Sequence, residues 1–356
     1  MRISIHFEIS ITVGRSHQKP AAANSISPLS AETTSNGVQT RRPTFGESAE
    51  QLITAMQSQV QPSTIDNYQT VRRSFLRFLN TDIALDSIDG NMLQSYQRWL
   101  RDRGLCLNTI SCYMRSLRAL LSKSQIVGAE VCSTIFKHVY TGQARTEKRA
   151  LTEQTIERLR AMKLKPKTFL AFVRDIFLFS FYAQGMPPVD VAFLRKDQIR
   201  DDSITYYRRK TGQRVTLRVE PCMKQIIDRY HRHDSPYLFP ILTEEKPEAA
   251  YRQYQQWLNR YNRNLKRLAA EAGITERLTA YAARHTWASE AYSIGVELPV
   301  ISKGLGHTNP NTTLIYLREI NNQRLEKANR LILSQLTTNG KNSKKKCAAS
   351  MQSVSV

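Results

Sequence analysis

Tyr316 stands nine positions after His307, and Arg284 stands twenty-three positions before it. The stretch Leu305-Gly306-His307-Thr308-Asn309-Pro310 ends one predicted helix in a glycine turn and starts another, with Asn309 as N-cap and Pro310 as first helical residue. That new helix carries Tyr316 about two turns in. Upstream, Arg209-Lys210-Thr211-Gly212-Gln213 lies between two strand-like runs. A phenol, an imidazole, a guanidinium and an amine are the parts needed to attack a phosphodiester. Such a reaction builds negative charge on the nonbridging oxygens, so it needs fixed cations and hydrogen-bond donors. Taken singly, each residue also has a plain structural reading: a Gly-His turn, a half-buried helical tyrosine, an arginine in a core ion pair, a lysine in a tight turn.

In combination the motifs carry more. A lysine in a hairpin, then Arg284-His285-Thr286, Leu305-Gly306-His307 and Tyr316 in that order resemble the tyrosine recombinases, or phage integrases, over about Gln61 to Leu336. The chain is most similar to the branch found on conjugative transposons and DNA-inversion loci of gut anaerobes. The resemblance implies site-specific cutting and rejoining of DNA through a 3′-phosphotyrosyl intermediate, without ATP. It implies Tyr316 as nucleophile, whose ordinary pKa near 10 means that the site must help remove its proton. Arg284 would hold phosphate oxygens in a bidentate grip, His307 would donate to the same oxygens, and Lys210 would protonate the leaving 5′ oxygen. His285 reads as structural. The implied partners are double-stranded DNA with paired recombination sites, three further copies of the chain in a homotetramer on synapsed DNA, and accessory DNA-bending proteins.

Two positions depart from the family pattern. Tyr281 stands where a histidine is more common, three residues before Arg284, and takes a secondary, hydrogen-bonding role. In Gln184-Gly185-Met186-Pro187 the first active-site arginine is absent, both at Pro187 and at the alternative place, Gln184. Gln184 would then supply a neutral hydrogen bond, or Arg174 on the preceding helix would fill the gap. A catalytically weakened DNA-binding relative is the alternative this absence supports; a type IB topoisomerase shares the chemistry but works alone.

The elements that must position these residues follow from periodicity. The chain of 356 residues is long enough for two domains, and its net charge of +22 points to a polyanion. The fold class expected is mainly α: a small helical core-binding domain and a mixed, mostly helical catalytic domain with a small β-hairpin sheet. Residues 1–45 read as a flexible arm, 46–140 as the helical domain, 141–150 as linker, 151–336 as the catalytic domain and 337–356 as a basic tail. In the helical domain a capping-box-like start at Ser63 opens a helix with the stripe Ile65, Tyr68, Val71, Phe75 and Leu79. Arg72, Arg73 and Arg77 lie off that stripe, and Arg115 and Arg118 lie off the buried face of a later helix; these five are the candidate DNA contacts. Thr152 reads as an N-cap, and Thr168 to Tyr182 as a buried core helix. Ile204 to Arg208 and Arg214 to Arg218 read as a hairpin with Lys210 at its tip. Leu325, Ala328, Ile332 and Leu336 form a narrow apolar stripe beyond Tyr316, suited to docking on a neighbouring copy or to packing on its own domain.

No cofactor and no metal are expected, since Asp, Glu and His do not cluster. The five cysteines are odd in number and lack C-x-x-C spacing, which fits reduced thiols. His6 and Glu8 interrupt the apolar N-terminal stretch, and no run approaches a membrane span, so a cytoplasmic protein without membrane contact is expected.

Overall fold

The first helix starts where Thr44 caps it: its side chain accepts from the Glu47 amide at 3.4 Å, and α1 runs Phe45–Met56. A computed structural model describes residues 42–124, 128–144, 150–309, 311–314, 316 and 329–330. The chain divides into two units, Met1–Thr146 and Glu147–Val356. The N-terminal arm up to residue 41, the stripe Leu325, Ala328, Ile332 and Leu336, and the basic tail lie outside the described residues.

In the first unit α1 is followed by α2 (Pro62–Leu79), α3 (Gly90–Asp102), α4 (Leu107–Lys123) and α5 (Gly128–Ile135). Helix α2 begins one residue before the capping box expected at Ser63. Pro62 occupies its first turn and Gln61 caps it without a side-chain bond. Proline suits this place because its missing N–H would have had no partner there. Asn80, at φ 60°, ends α2, and the Asp89 carboxylate caps α3 by accepting from the Met92 amide at 2.7 Å. The core gathers Ile53, Phe75, Leu93, Tyr96, Ile110, Met114 and Leu117, with Phe75 edge-on to both Phe45 and Tyr96. Asn108 bonds the Ala144 backbone in both directions, at 3.0 and 2.8 Å, and Ser111 donates to the Gly142 carbonyl. The chain therefore stays attached to α4 through Ala144, four residues past Tyr140.

The second unit opens with α6 (Glu153–Ala161) and α7 (Phe169–Tyr182), capped by Thr152 and Thr168 through the amides of Thr155 and Ala171. Helix α7 is buried on nearly every side, which is why its sequence is apolar all round rather than striped. The short α8 (Pro188–Ala192) leads to an antiparallel sheet of β1 (Ile199–Arg200), β2 (Ser203–Tyr207) and β3 (Arg214–Arg218), in the order β1-β2-β3. Ile204 pairs with Leu217 and Tyr206 with Val215, and these four face the core. Then come α9 (Pro221–Tyr230), α10 (Pro247–Glu271), α11 (Ala282–Ser293), α12 (Leu298–Gly304) and α13 (Asn311–Leu314). Helices α9, α10 and α11 pack on α7. Among the described residues no helix is long and apolar enough to cross a membrane.

Candidate active site

Arg284 sits in the first turn of α11 and is 1% exposed. A buried guanidinium needs acceptors. Its Nη1 donates to the Gly185 carbonyl at 2.9 Å, and its Nη2 to the Leu305 carbonyl at 2.6 Å. The same Nη2 lies 2.9 Å from Nε2 of His307. Gly185 is at φ +68°, and a Cβ there would stand 2.8 Å from the Arg284 Cα. So the turn that lacks its arginine still packs directly on Arg284, and only glycine fits.

His307 follows the Gly306 turn, also at positive φ. Asn309 caps α13, accepting from the Asn311 amide at 2.9 Å. His307 Nδ1 lies 2.9 Å from the Thr313 hydroxyl. Because guanidinium can only donate, Nε2 accepts from Arg284 and Nδ1–H points to Thr313. Burial and the charges of Arg284, Arg208 and Lys210 lower the imidazole to about 3, so it is neutral. In this arrangement His307 orients Arg284; the donor role expected from sequence needs the other tautomer.

Tyr316 is buried between two imidazoles, its ring 4.6 Å from that of His285 and 5.3 Å from that of His307. The Arg284 guanidinium lies 5.3 Å from the Tyr316 ring centroid, and Ser289 donates to the Tyr316 carbonyl at 3.1 Å. His285, read from sequence as structural, thus forms one wall of the tyrosine slot. Tyr281, partly buried before α11, is pushed up to about 12 by burial and by Tyr316, against the pull of Arg284, and stays a protonated phenol.

A second buried guanidinium stands beside Arg284, from another element than the Gln184–Pro187 turn. Arg208, just past β2, is 6% exposed; its Nη1 donates to the carbonyls of Leu305 at 2.8 Å and Gly306 at 3.3 Å. Its Nε pairs with Asp190 at 3.3 Å. The Leu305 carbonyl therefore accepts from both Arg208 and Arg284. Asp190, on α8, also accepts from the Arg209 amide at 3.0 Å, which ties down the base of the hairpin turn. Burial lifts the Asp190 carboxyl above its usual range, and the Arg208 charge opposes that lift. One buried carboxylate thus faces two guanidiniums. Lys210 is next in the turn, with an exposed face; partial removal from water, then Arg208 and Arg284, bring its ammonium down to about 8. Thr211 donates to the Gly306 carbonyl at 3.3 Å, closing the turn over the His307 loop.

One expectation needs correction. Arg174 is engaged elsewhere: it donates to Asp175 at 2.8 Å and to the Met162 carbonyl at 2.6 Å, so it does not fill the gap. Gln184, at φ 57°, sits on the right turn, but its Oε1 lies against Gly304 at the end of α12, 3.2 Å from where a Cβ there would be. The residue that sequence reasoning missed, Arg208, had a signal. It shares the inward parity of Ile204 and Tyr206, and a charge at an inward strand position marks a site.

In the helical unit the five candidate arginines separate. Arg72 is tied to α1, bonding the Gly46 carbonyl at 2.9 Å and pairing with Glu50 at 3.0 Å. Arg115 turns back on its own helix, toward the Ser111 carbonyl at 3.4 Å. Arg73, Arg77 and Arg118 are exposed.

Comparison with known proteins now bears on this geometry. Residues 149–323 match the model of the phage integrase family, and residues 44–128 match that of the phage integrase SAM-like domain. The chain belongs to the phage integrase, or tyrosine recombinase, family. It is 29% identical to the tyrosine recombinase XerD of Lacticaseibacillus casei over 170 residues, 46% of this chain and 57% of that protein. It is 22% identical to XerD of Listeria innocua over 269 residues, 71% of this chain and 87% of that protein. The match to the first spans little more than half of the relative's length. Among solved structures, the fold is similar to the Tn1549 transposon integrase in complex with transposon right end DNA. There the TM-score is 0.61 and the identity 15%, covering 83% of this chain and 100% of that one. It is also similar to a lambda integrase tetramer bound to a Holliday junction, with a TM-score of 0.60 and 14% identity, covering 79% of each chain.

Proposed function

We propose that this phage integrase family member is a site-specific DNA recombinase that cuts and rejoins strands through a 3′-phosphotyrosyl ester. The observation that carries this reading is a cluster drawn from four separate stretches: His285, His307 and Arg284 lie against the Tyr316 ring, and Arg208 shares the Leu305 carbonyl with Arg284. Arg208 and Lys210 come from the hairpin, Arg284 and His285 from α11, His307 from the turn after α12, and Tyr316 from beyond α13. In the reaction the Tyr316 oxygen attacks phosphorus as its phenol proton leaves to solvent, the bond to the 5′ oxygen breaks, and the leaving 5′ oxygen takes its proton from Lys210. A 5′-hydroxyl of another strand then reverses the step with a new partner, so bond energy is kept and no ATP is consumed. Arg284 and Arg208, kept in place by their carbonyl partners, hold the nonbridging oxygens with their remaining N–H groups. Among the described residues Asp190, paired with Arg208, is the one carboxylate bonded to either guanidinium, which leaves a surplus of positive charge that suits a phosphate. Tyr281 adds a neutral hydrogen bond at the edge.

A DNA-binding relative that never cuts is not favoured, because its support was an arginine missing from a site that Arg208 supplies. Integration or excision of a mobile element, or inversion of a DNA segment, is the biological use that the motifs support. The similarity in fold to a transposon integrase is consistent with the conjugative-transposon branch. A cytoplasmic protein fits work on DNA. Paired sites require a tetramer, the state in which the lambda integrase was solved on its junction. Accessory DNA-bending proteins would shape that synapse.

The test is covalent trapping. A duplex selected by the protein from a randomised pool, with nicks tiled across it, should yield a protein–DNA adduct that survives denaturation. No adduct at any nick position, from protein that binds the duplex, would sink the reading.

A further inference from the structure

Thr313, on α13, is fully buried. Its hydroxyl stands 2.9 Å from Nδ1 of His307, and its carbonyl accepts from the Tyr316 amide at 3.0 Å. It therefore touches both the imidazole and the backbone of the nucleophile. Arg284 dictates the proton on that imidazole: Nη2 can only donate, so Nε2 accepts and Nδ1 carries the hydrogen. The Thr313 hydroxyl must then accept. Among the described residues it forms no other hydrogen bond, so its own hydrogen goes unmet in a buried place, which is unfavourable. The opposite tautomer satisfies the hydroxyl, which would donate to Nδ1, but sets Nε2–H against an Arg284 N–H. The protein alone thus cannot fully satisfy both the Arg284–His307 and the His307–Thr313 pair. An anion resolves the conflict, because an oxygen beside Nε2 and Nη2 accepts from both.

We infer that Thr313 is a positioning residue that sets which nitrogen of His307 carries the proton, and that phosphate reverses the choice. In the observed arrangement His307 is the Nδ1–H tautomer and accepts from Arg284. With phosphate bound, the Thr313 hydroxyl turns to donate to Nδ1, and Nε2–H donates to a nonbridging oxygen. One proton leaves Nδ1 for solvent, one is taken up at Nε2 from solvent, and the imidazole stays neutral. A hydroxyl suits this position because it can accept or donate after rotation about one bond. The nitrogen that steadies Arg284 before DNA arrives becomes a donor to the developing charge afterwards. That the anion is a DNA phosphate rests on the recombinase reading; the conflict between the two hydrogen bonds does not.

The experiment is nitrogen NMR on isotope-labelled histidine in the full chain carrying Tyr316→Phe, so that no bond to DNA is made. The His307→Asn variant identifies the His307 signals among those of the seven histidines. The free protein should show a protonated Nδ1 and a pyridine-like Nε2, and saturating selected duplex should exchange the two. Nε2–H in the free protein, or Nδ1–H kept in the complex, would overturn the proposal. With Tyr316 in place, Thr313→Val keeps the shape and loses the hydroxyl. It should slow single-turnover cleavage about tenfold, the scale of one hydrogen bond, and leave affinity for the duplex unchanged. Thr313→Ser should recover the rate, and thermal melting checks that both variants fold. A folded Thr313→Val that cleaves at the wild-type rate would also overturn it. Adduct formation by the unsubstituted chain tells the two readings apart. Tautomers that exchange without any adduct keep the switch and remove the recombinase; an adduct with Nδ1–H retained does the reverse.

Discussion

The two units use arginine in opposite ways. In the catalytic unit Arg208 and Arg284 are 6% and 1% exposed and are fixed by the carbonyls of Gly185, Leu305 and Gly306. In the helical unit Arg73, Arg77 and Arg103 stand in water around an open notch. Burial makes a charge expensive unless it is satisfied, so the first pair is preorganised before any DNA arrives. Exposure keeps the second set hydrated and screened, so its value appears only as counterions leave the duplex. On the proposed reading the same side chain would serve transition-state stabilisation in one place and docking in the other.

The sharpest way to break the comparison is at the nucleophile. Tyr316→Phe keeps the ring between His285 and His307 but removes the attacking oxygen, so the adduct should vanish while the affinity for duplex stays unchanged. An adduct with the Phe variant would mean that another residue attacks.

Removal of a buried cation comes next. Arg284→Ala and Arg208→Ala should each cost about 10²–10³ in single-turnover cleavage, the usual scale for one preorganised donor. Binding should change far less than that. Arg208→Ala with cleavage at wild-type rate would show that Arg208 serves the fold alone. Adding Gln184→Arg to Arg208→Ala tests the vacant turn: its side chain lies at Gly304 rather than on the cluster, so rescue should stay below about tenfold of the lost rate, one donor being worth more than that.

The pH dependence sharpens the contrast from the side of Lys210. A general acid works in its protonated form, and an ammonium lowered to about 8 loses its proton as the pH rises through that value. Cleavage at subsaturating DNA should therefore be flat from neutral pH and fall above about 8. His307, lowered to about 3, adds no step near 6.5. Lys210→Arg should shift the alkaline fall upward out of the range measured. A profile that rises through pH 8 would assign Lys210 a different role.

The smallest effect belongs to Arg72. Arg72→Ala should cost at most about 1 kcal/mol of stability, as expected for a partly exposed ion pair with Glu50, and leave cleavage and salt dependence alone. Chemical denaturation of the full chain measures it.

Periodicity and caps are local, and they were legible. The Thr152 cap, the apolar stripe of α2, the all-round apolar α7 and the hairpin about Lys210 follow from neighbours within a few residues. So do the Gly306 turn and the Asn309 cap that present His307. A second buried guanidinium beside Arg284 was not legible in the motif, because the expected place of the first arginine holds Gln184 and Pro187. Only folding brings Arg208, at the end of β2, under the Leu305 and Gly306 carbonyls and against Asp190 on α8. Those partners lie ninety-seven, ninety-eight and eighteen positions away along the chain. The same holds for the split among the arginines of α2. Arg72 and Arg73 are adjacent and alike in sequence, but the 100° helical step between them turns one toward Glu50 of α1 and the other toward the cleft beside α3. Residue type and spacing determined which chemistry the chain carries. Which arginine performs it depends on the surface each side chain meets, and that surface is made of residues from elsewhere in the chain.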